Sequence, residues 1–115
     1  MPIPHAEHLH VSQEKLHGYL LDPDHPFGEA KARWFASQGY HRGNSDRLAD
    51  DLIELARKSE NWLSLTGRFG VKYVVCGSVK TPRGRTMWLT TIWFIDTGRI
   101  VPRFITAYPR KARDS

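Results

Sequence analysis

Hydrophobic and polar positions along this chain change their period once. Before about residue 60 apolar residues recur every three to four positions; from Val71 to Tyr108 they alternate in short runs. The second region reads VKYVVCGSVK, TPRGR, TMWLTTIWFID, TGR and IVPRFITAY. Three runs rich in β-branched and aromatic residues, parted by two short Gly-containing turns, predict an antiparallel meander. Alternation places Val71, Tyr73, Val75 and Val79 on one face of the first run and Lys72, Val74, Cys76 and Ser78 on the other. In the second run Met87, Leu89, Thr91, Trp93 and Ile95 oppose Trp88, Thr90, Ile92 and Phe94. Apolar on both faces, that run is expected to be the central strand, covered on both sides. Pro102 cannot donate to a ladder and belongs on an edge or at a strand start. A further short strand before Gly67, within NWLSLTGRFG, would make the sheet four-stranded.

The helical period predicts three helices ahead of the sheet. Ser12 is the N-cap of the first, with Leu16, Tyr19 and Leu20 as its apolar stripe; Gly18 shortens it before Asp22-Pro23. A rigid turn, Asp22 to Gly28, holds His25 extended between prolines. The second helix runs from Phe27 or Gly28 to about Gln38, with Phe27, Ala30 and Trp34 on one stripe, Phe35 beside it and Gly39 as left-handed terminator. Lys31 sits one turn in, near His25. Asn44 or Ser45 caps a third helix to about Ser59, with Leu48, Leu52, Leu55 and Ala56 on its buried stripe. Residues 1–11, with two prolines and His5, His8 and His10, read as an arm or an edge segment, and a solvated arm is favoured over a metal tract. The expectation is one α+β domain over residues 1–115: arm 1–11, helices 12–60, sheet 61–109 and a basic tail 110–115.

Charge sharpens this picture. Residues 1–60 carry seven Lys/Arg against ten Asp/Glu, and residues 61–115 carry ten against two, so the net +5 resides in the sheet half. Arg68, Lys80, Arg83, Arg85, Arg99 and Arg103 fall at strand ends, in hairpins or within the third run. A basic sheet against acidic helices suits a polyanion, RNA above all, although arginines also keep sheet edges soluble. No apolar run is long enough to span a membrane, and the N-terminus lacks the basic start and apolar core of a signal peptide. The single Cys76, in a predicted strand, cannot form an internal disulfide; a reducing cytoplasm is the simplest compartment, although a toxin domain exported by a non-classical route would look the same.

The sequence has no phosphate-binding Gly-rich loop before a helix, no zinc-spaced Cys/His cluster and no nucleophile elbow. The basic half has no paired carboxylates for a two-metal site, so no metal or other cofactor is expected. What remains is a histidine, a lysine, arginines, hydroxyls and a tyrosine. Cleavage of RNA through its own 2′-hydroxyl needs only a base, an acid and cations around the phosphorane. His25 is a candidate base or acid, and equally a turn histidine bonded to backbone. Lys31 is a candidate phosphate clamp. Thr106 and Tyr108 share a face of the last run, with Arg103 expected on the other. Arg83 and Arg85 in the hairpin are candidates to grip an RNA backbone, and Trp88 or Trp93 to stack a base unless they are core.

Tyr19-Leu20-Leu21, His25-Pro26 with Gly28, Lys31-Ala32 with Phe35, and Gly39-Tyr40 resemble the first half of a small family of bacterial proteins. Gly70 with Tyr73, Gly77, Gly84, Thr91-Ile92-Trp93 and Thr106-Ala107-Tyr108-Pro109 resemble its second half. The resemblance spans roughly residues 15–109. Such proteins occur alone, beside a small antitoxin, or as C-terminal domains of larger secreted toxins. In layout they are similar to the barnase–EndoU–colicin–RelE group of ribonuclease toxins, whose active site lies on the sheet's concave face and a preceding helix.

The resemblance implies His25, Lys31, Thr106 and Tyr108 as site residues, RNA as substrate, and a cognate antitoxin or immunity protein as partner. Two departures matter: every histidine lies at or before His41, and the sheet lacks a catalytic Glu. A nuclease built this way would work like the RelE branch, through Lys, Arg and Tyr. A non-catalytic nucleic-acid-binding module and the neutralising member of a toxin pair are the alternatives.

Overall fold

The computed structural model describes residues 1–26 and 28–110. Ser12 caps the first helix as its short polar side chain suggests, its Oγ accepting the Lys15 amide at 3.2 Å. Helix α1 (Gln13–Lys15) then passes into a single π-helical turn, Leu16–Leu20, in which the Leu21 amide reaches back to the Leu16 carbonyl at 2.9 Å. Leu16 and Leu20 are buried.

Helix α2 (Glu29–Ser37) ends at Gly39, whose φ of 100° suits glycine. Its buried side is Ala32 and Phe35, whereas Ala30 is exposed and Trp34 half-buried, so the expected stripe is rotated. That rotation carries Lys31 toward the sheet. Helix α3 (Ser45–Lys58) follows a 3-10 turn closed by reciprocal bonds between His41 and Asn44, and buries Leu48, Leu52, Leu55 and Ala56. It lies directly on the sheet: a Cβ added at Gly77 would stand 3.0 Å from Leu55 Cγ.

The sheet is an antiparallel meander in the order β1 (Asn61–Gly67), β2 (Gly70–Lys80), β3 (Thr86–Asp96), β4 (Arg103–Pro109). The fold is therefore α+β, with three helices ahead of a four-stranded sheet. The face toward the helices buries Tyr73, Val75, Val79, Met87, Leu89, Thr91, Trp93, Phe104 and Ala107. On the opposite face only the centre is covered: Thr90 and Ile92 are buried, while Leu63, Leu65, Trp88 and Tyr108 are exposed. Cover on both sides of β3 thus holds for its middle alone.

Three expectations need correction. Trp93 is fully buried, donating its indole N–H to Thr91 Oγ1 at 2.8 Å and meeting the Phe104 ring edge-on, so it is no stacking platform. Trp88 is the exposed indole of that strand. Second, Ile92 pairs with Thr106 and Trp93 with Phe104, which leaves Ile105 as a bulge. The extra residue puts Arg103, paired with Phe94, on the same face as Thr106 and Tyr108, not the opposite one. Third, residues 1–11 are not a solvated arm but the edge segment: Ile3, Ala6 and Leu9 join the core, and His10 bridges to Arg103 beside β4. Three apolar side chains at that spacing outweigh the two prolines. Phe27 of the expected α2 stripe and Lys111 and Arg113 of the basic tail lie outside the described residues.

Candidate functional site

One polar constellation joins all three layers of sequence. The π turn presents Tyr19, the first turn of α2 presents Lys31, and β4 presents Thr106. Lys31 Nζ donates to Tyr19 Oη and to Thr106 Oγ1, each at 2.7 Å, and the two hydroxyls stand 3.0 Å apart. The triangle closes because an extra residue in the π turn and an extra residue in β4 both adjust the approach of their elements. Gly28 tightens it further. A Cβ there would lie 2.7 Å from the Tyr19 carbonyl oxygen, so only glycine lets α2 begin this close to the π turn.

Aromatic rings surround the ammonium. Lys31 Nζ lies 5.1 Å from the Tyr19 ring centroid and 5.8 Å from that of Tyr108, within cation–π range. His25 meets the Tyr19 ring edge-on at 5.2 Å. Its Nδ1 accepts the Gly28 amide at 2.9 Å, which assigns the ring proton of the neutral imidazole to Nε2. His25 is thus a turn histidine bonded to backbone and also a neighbour of the constellation. Of the four residues expected to form a site, Lys31, Thr106 and Tyr108 converge directly, and His25 converges through Tyr19.

The RNA-gripping candidates divide. Arg103 lies on the right face but is held by Asp96 through a bidentate pair at 2.8 and 3.1 Å, and stacks over Phe94. Those bonds keep the Asp96 carboxyl below its usual range. Arg83 and Arg85 lie in the β2–β3 hairpin beyond Thr86, six positions along β3 from the residue paired with Thr106. At about 3.3 Å per strand residue that is about 20 Å away, so the fold does not bring them to the constellation.

Sequence reasoning did not assign Tyr19 a chemical role, since its spacing with Leu16 and Leu20 matches an apolar stripe. The phenol is perturbed. Burial pushes its pKa up, but bonds from Lys31 and Thr106, with the charges of Lys31 and Lys15, outweigh this and hold it below 10.0. Lys15 Nζ lies 5.4 Å from the ring centroid. An open cleft of about 780 Å³ adjoins the group, lined by His10, Lys15, Tyr19, His25, Arg103 and Thr106. A larger cleft of about 1130 Å³ between α3 and the end of β2 includes Arg47, Asp51, Glu54 and Lys58. There Arg47 is paired with Asp51 and Lys58 with Glu54, so charges neutralise one another instead of converging on open space. Among the described residues no three His, Cys, Asp or Glu side chains gather to hold a metal ion, and no helix is long and apolar enough to cross a membrane.

Residues 2–111 match a family described as a domain of unknown function, DUF6883. The chain belongs to the DUF6883 family. No curated protein matches it. Among solved structures, a chain of the contact-dependent growth inhibition toxin–immunity protein complex from Klebsiella pneumoniae 342 is similar, with a TM-score of 0.69. The match covers 89% of this chain and 93% of that one at 18% sequence identity, a likeness of fold. This DUF6883 chain therefore shares its helices-then-sheet layout with a protein of that complex, and its site stands on its own geometry.

Proposed function

We propose that the protein is a toxin-like, metal-independent ribonuclease belonging to a toxin–antitoxin or toxin–immunity system, cleaving RNA by attack of the 2′-hydroxyl. The observation that carries this reading is the Lys31 ammonium held at 2.7 Å from both Tyr19 and Thr106, two residues that line an open cleft. Tyr19, whose phenol ionises more readily than usual, takes the 2′-hydroxyl proton as phenolate. The 2′-oxygen then attacks phosphorus, forming the 2′,3′-cyclic phosphate as the bond to the 5′-oxygen breaks. Lys31 offsets the phosphorane's added charge and gives a proton to the departing 5′-oxygen. Tyr19 returns the abstracted proton to Lys31 across their hydrogen bond, which restores both groups.

Thr106 fixes the ammonium from the sheet side, and the Tyr108 ring confines it. His25 positions Tyr19 through ring contact. Lys15 in the cleft supplies a cation for a neighbouring phosphate, and Arg103 would do so only on release from Asp96. The Tyr–Lys arrangement supports this reading over passive nucleic-acid binding, and the fold likeness to a protein of a toxin–immunity complex supports a place in such a system.

A second reading has one observation in its favour. The neighbouring structure is described as holding both a toxin and an immunity protein, so its fold also accommodates a neutralising role for this chain. Inducing the full chain in a bacterial host separates the readings. Ribonuclease activity predicts growth arrest with fragmented RNA, relieved by Lys31→Met or Tyr19→Phe in folded, equally abundant protein. Unimpaired growth on wild-type induction, with intact RNA, contradicts it.

A further inference from the structure

The two edges of the sheet are unequal. β4 is protected: His10 exchanges backbone bonds with Pro102 and Phe104, Ile105 bulges, and Pro102 and Pro109 bracket the strand. β1 has none of these devices. Residues 61–67, NWLSLTG, contain no charge and no proline, and their pairing with β2 is unbroken by any bulge. Natural sheets usually blunt such an edge, because its outer amides and carbonyls are a template for another strand.

The outward groups can be identified. Gly67 pairs with Gly70 around the two-residue loop Arg68–Phe69, and the pair flanking such a loop is hydrogen-bonded. Alternation then turns the backbone groups of Trp62, Ser64 and Thr66 away from β2. Among the described residues no backbone bond reaches them. The N-terminal segment touches this strand instead through the Trp62 indole, which donates to the Met1 carbonyl at 2.8 Å.

We infer that β1 is a self-association edge that pairs antiparallel with β1 of a second copy of this chain, about a two-fold axis at Ser64. That register is self-complementary at every position. Ser64 opposes Ser64, and Trp62 opposes Thr66, so every outward amide and carbonyl of the strand finds a partner. Leu63 opposes Leu65 on the open face of the sheet, where both are now more than half exposed. Just beyond the strand, Glu60 of each copy opposes Arg68 of the other, placing opposite charges at both ends. Glu60's present partner is the terminal ammonium of Met1 at 3.4 Å, with both groups widely exposed, a pairing worth little. The result is a closed, isologous dimer with one continuous eight-stranded sheet. It places the two Lys31 sites at opposite ends, and it holds whether or not those sites cleave RNA.

The test is sedimentation of the full chain from micromolar to millimolar concentration. Wild type should pass from monomer to dimer. Ser64→Pro removes one outward amide at a position where an edge strand tolerates proline, and should abolish the dimer while the circular dichroism spectrum is kept. Glu60→Arg and Arg68→Glu should each weaken the dimer, and the double exchange should restore it. A wild-type chain that stays monomeric throughout overturns the inference. So does a dimer indifferent to both Ser64→Pro and the charge exchange, or β1 found paired only with a strand from a different protein.

Discussion

Lys31 Nζ and Thr106 Oγ1 lie 2.7 Å apart across 75 positions of chain, which ties the second helix to the edge strand of the sheet. Neither residue occupies a helix cap or a core position. The contact is therefore better explained by a site than by the needs of the fold. Lys31→Met should raise the Tyr19 pKa toward the ordinary 10.0, because it removes the bond and charge that lower it. Ultraviolet titration of the phenolate checks this, with Tyr19→Phe identifying which transition belongs to Tyr19. An unmoved transition contradicts the assignment.

The same phenol sets a direction for stability against pH. Folding lowers the Tyr19 pKa, so the ionised form favours the native state. That contribution is complete above the unfolded value of 10.0 and is lost as pH falls through the lower folded value. The stability difference between wild type and Tyr19→Phe should widen as pH rises toward 10.0, measured by denaturant unfolding at several pH values. A difference that narrows over that span contradicts it.

Gly28→Ala tests how closely the helix must approach. The new methyl meets the Tyr19 carbonyl oxygen at 2.7 Å and must push α2 away from the π turn. Activity should fall because Lys31 leaves its partners, by about a hundredfold if general acid catalysis is lost. The fold should remain cooperative in thermal unfolding, at a lowered midpoint because α2 and the π turn both contribute buried residues. Full activity in this variant would show that the separation of Lys31 and Tyr19 is unimportant.

Much of the architecture is legible in the sequence because single local signals set it. Ser12, Gly39 and the leucines of α3 mark helix ends and buried stripes, and alternation from Val71 to Asp96 assigns the faces of β2 and β3. The site is less legible. Lys31 and Thr106 carry no local mark, and Tyr19 has the spacing of a core residue until the π turn aims it sideways. The bulge at Ile105 cannot be read from alternation, because one unpaired residue reverses every face after it, which is why Arg103 was expected on the wrong side. Trp93 defeats composition for another reason: an indole can be either a platform or a core residue, and burial of its N–H against Thr91 decides the matter.

That buried pair makes its own prediction. Thr91 Oγ1 accepts from Trp93 Nε1 and donates to the Val75 carbonyl, each at 2.8 Å. Thr91→Val leaves the indole N–H buried without an acceptor and should cost about 1–3 kcal/mol. Trp93→Phe removes the orphaned donor, so Thr91→Val should cost less in that background. Denaturant unfolding of the four proteins measures the coupling, and strict additivity would contradict the pairing.

In the proposed mechanism Tyr19 and Lys31 together move protons during RNA cleavage. The most direct measurement of this is incubation of purified full chain with end-labelled RNA, followed by analysis of product length and termini. Wild type should give shortened RNA ending in 2′,3′-cyclic phosphate, and folded Tyr19→Phe and Lys31→Met a rate lower by about a hundredfold or more. RNA that is bound but left at full length, equally by all three proteins, would contradict it.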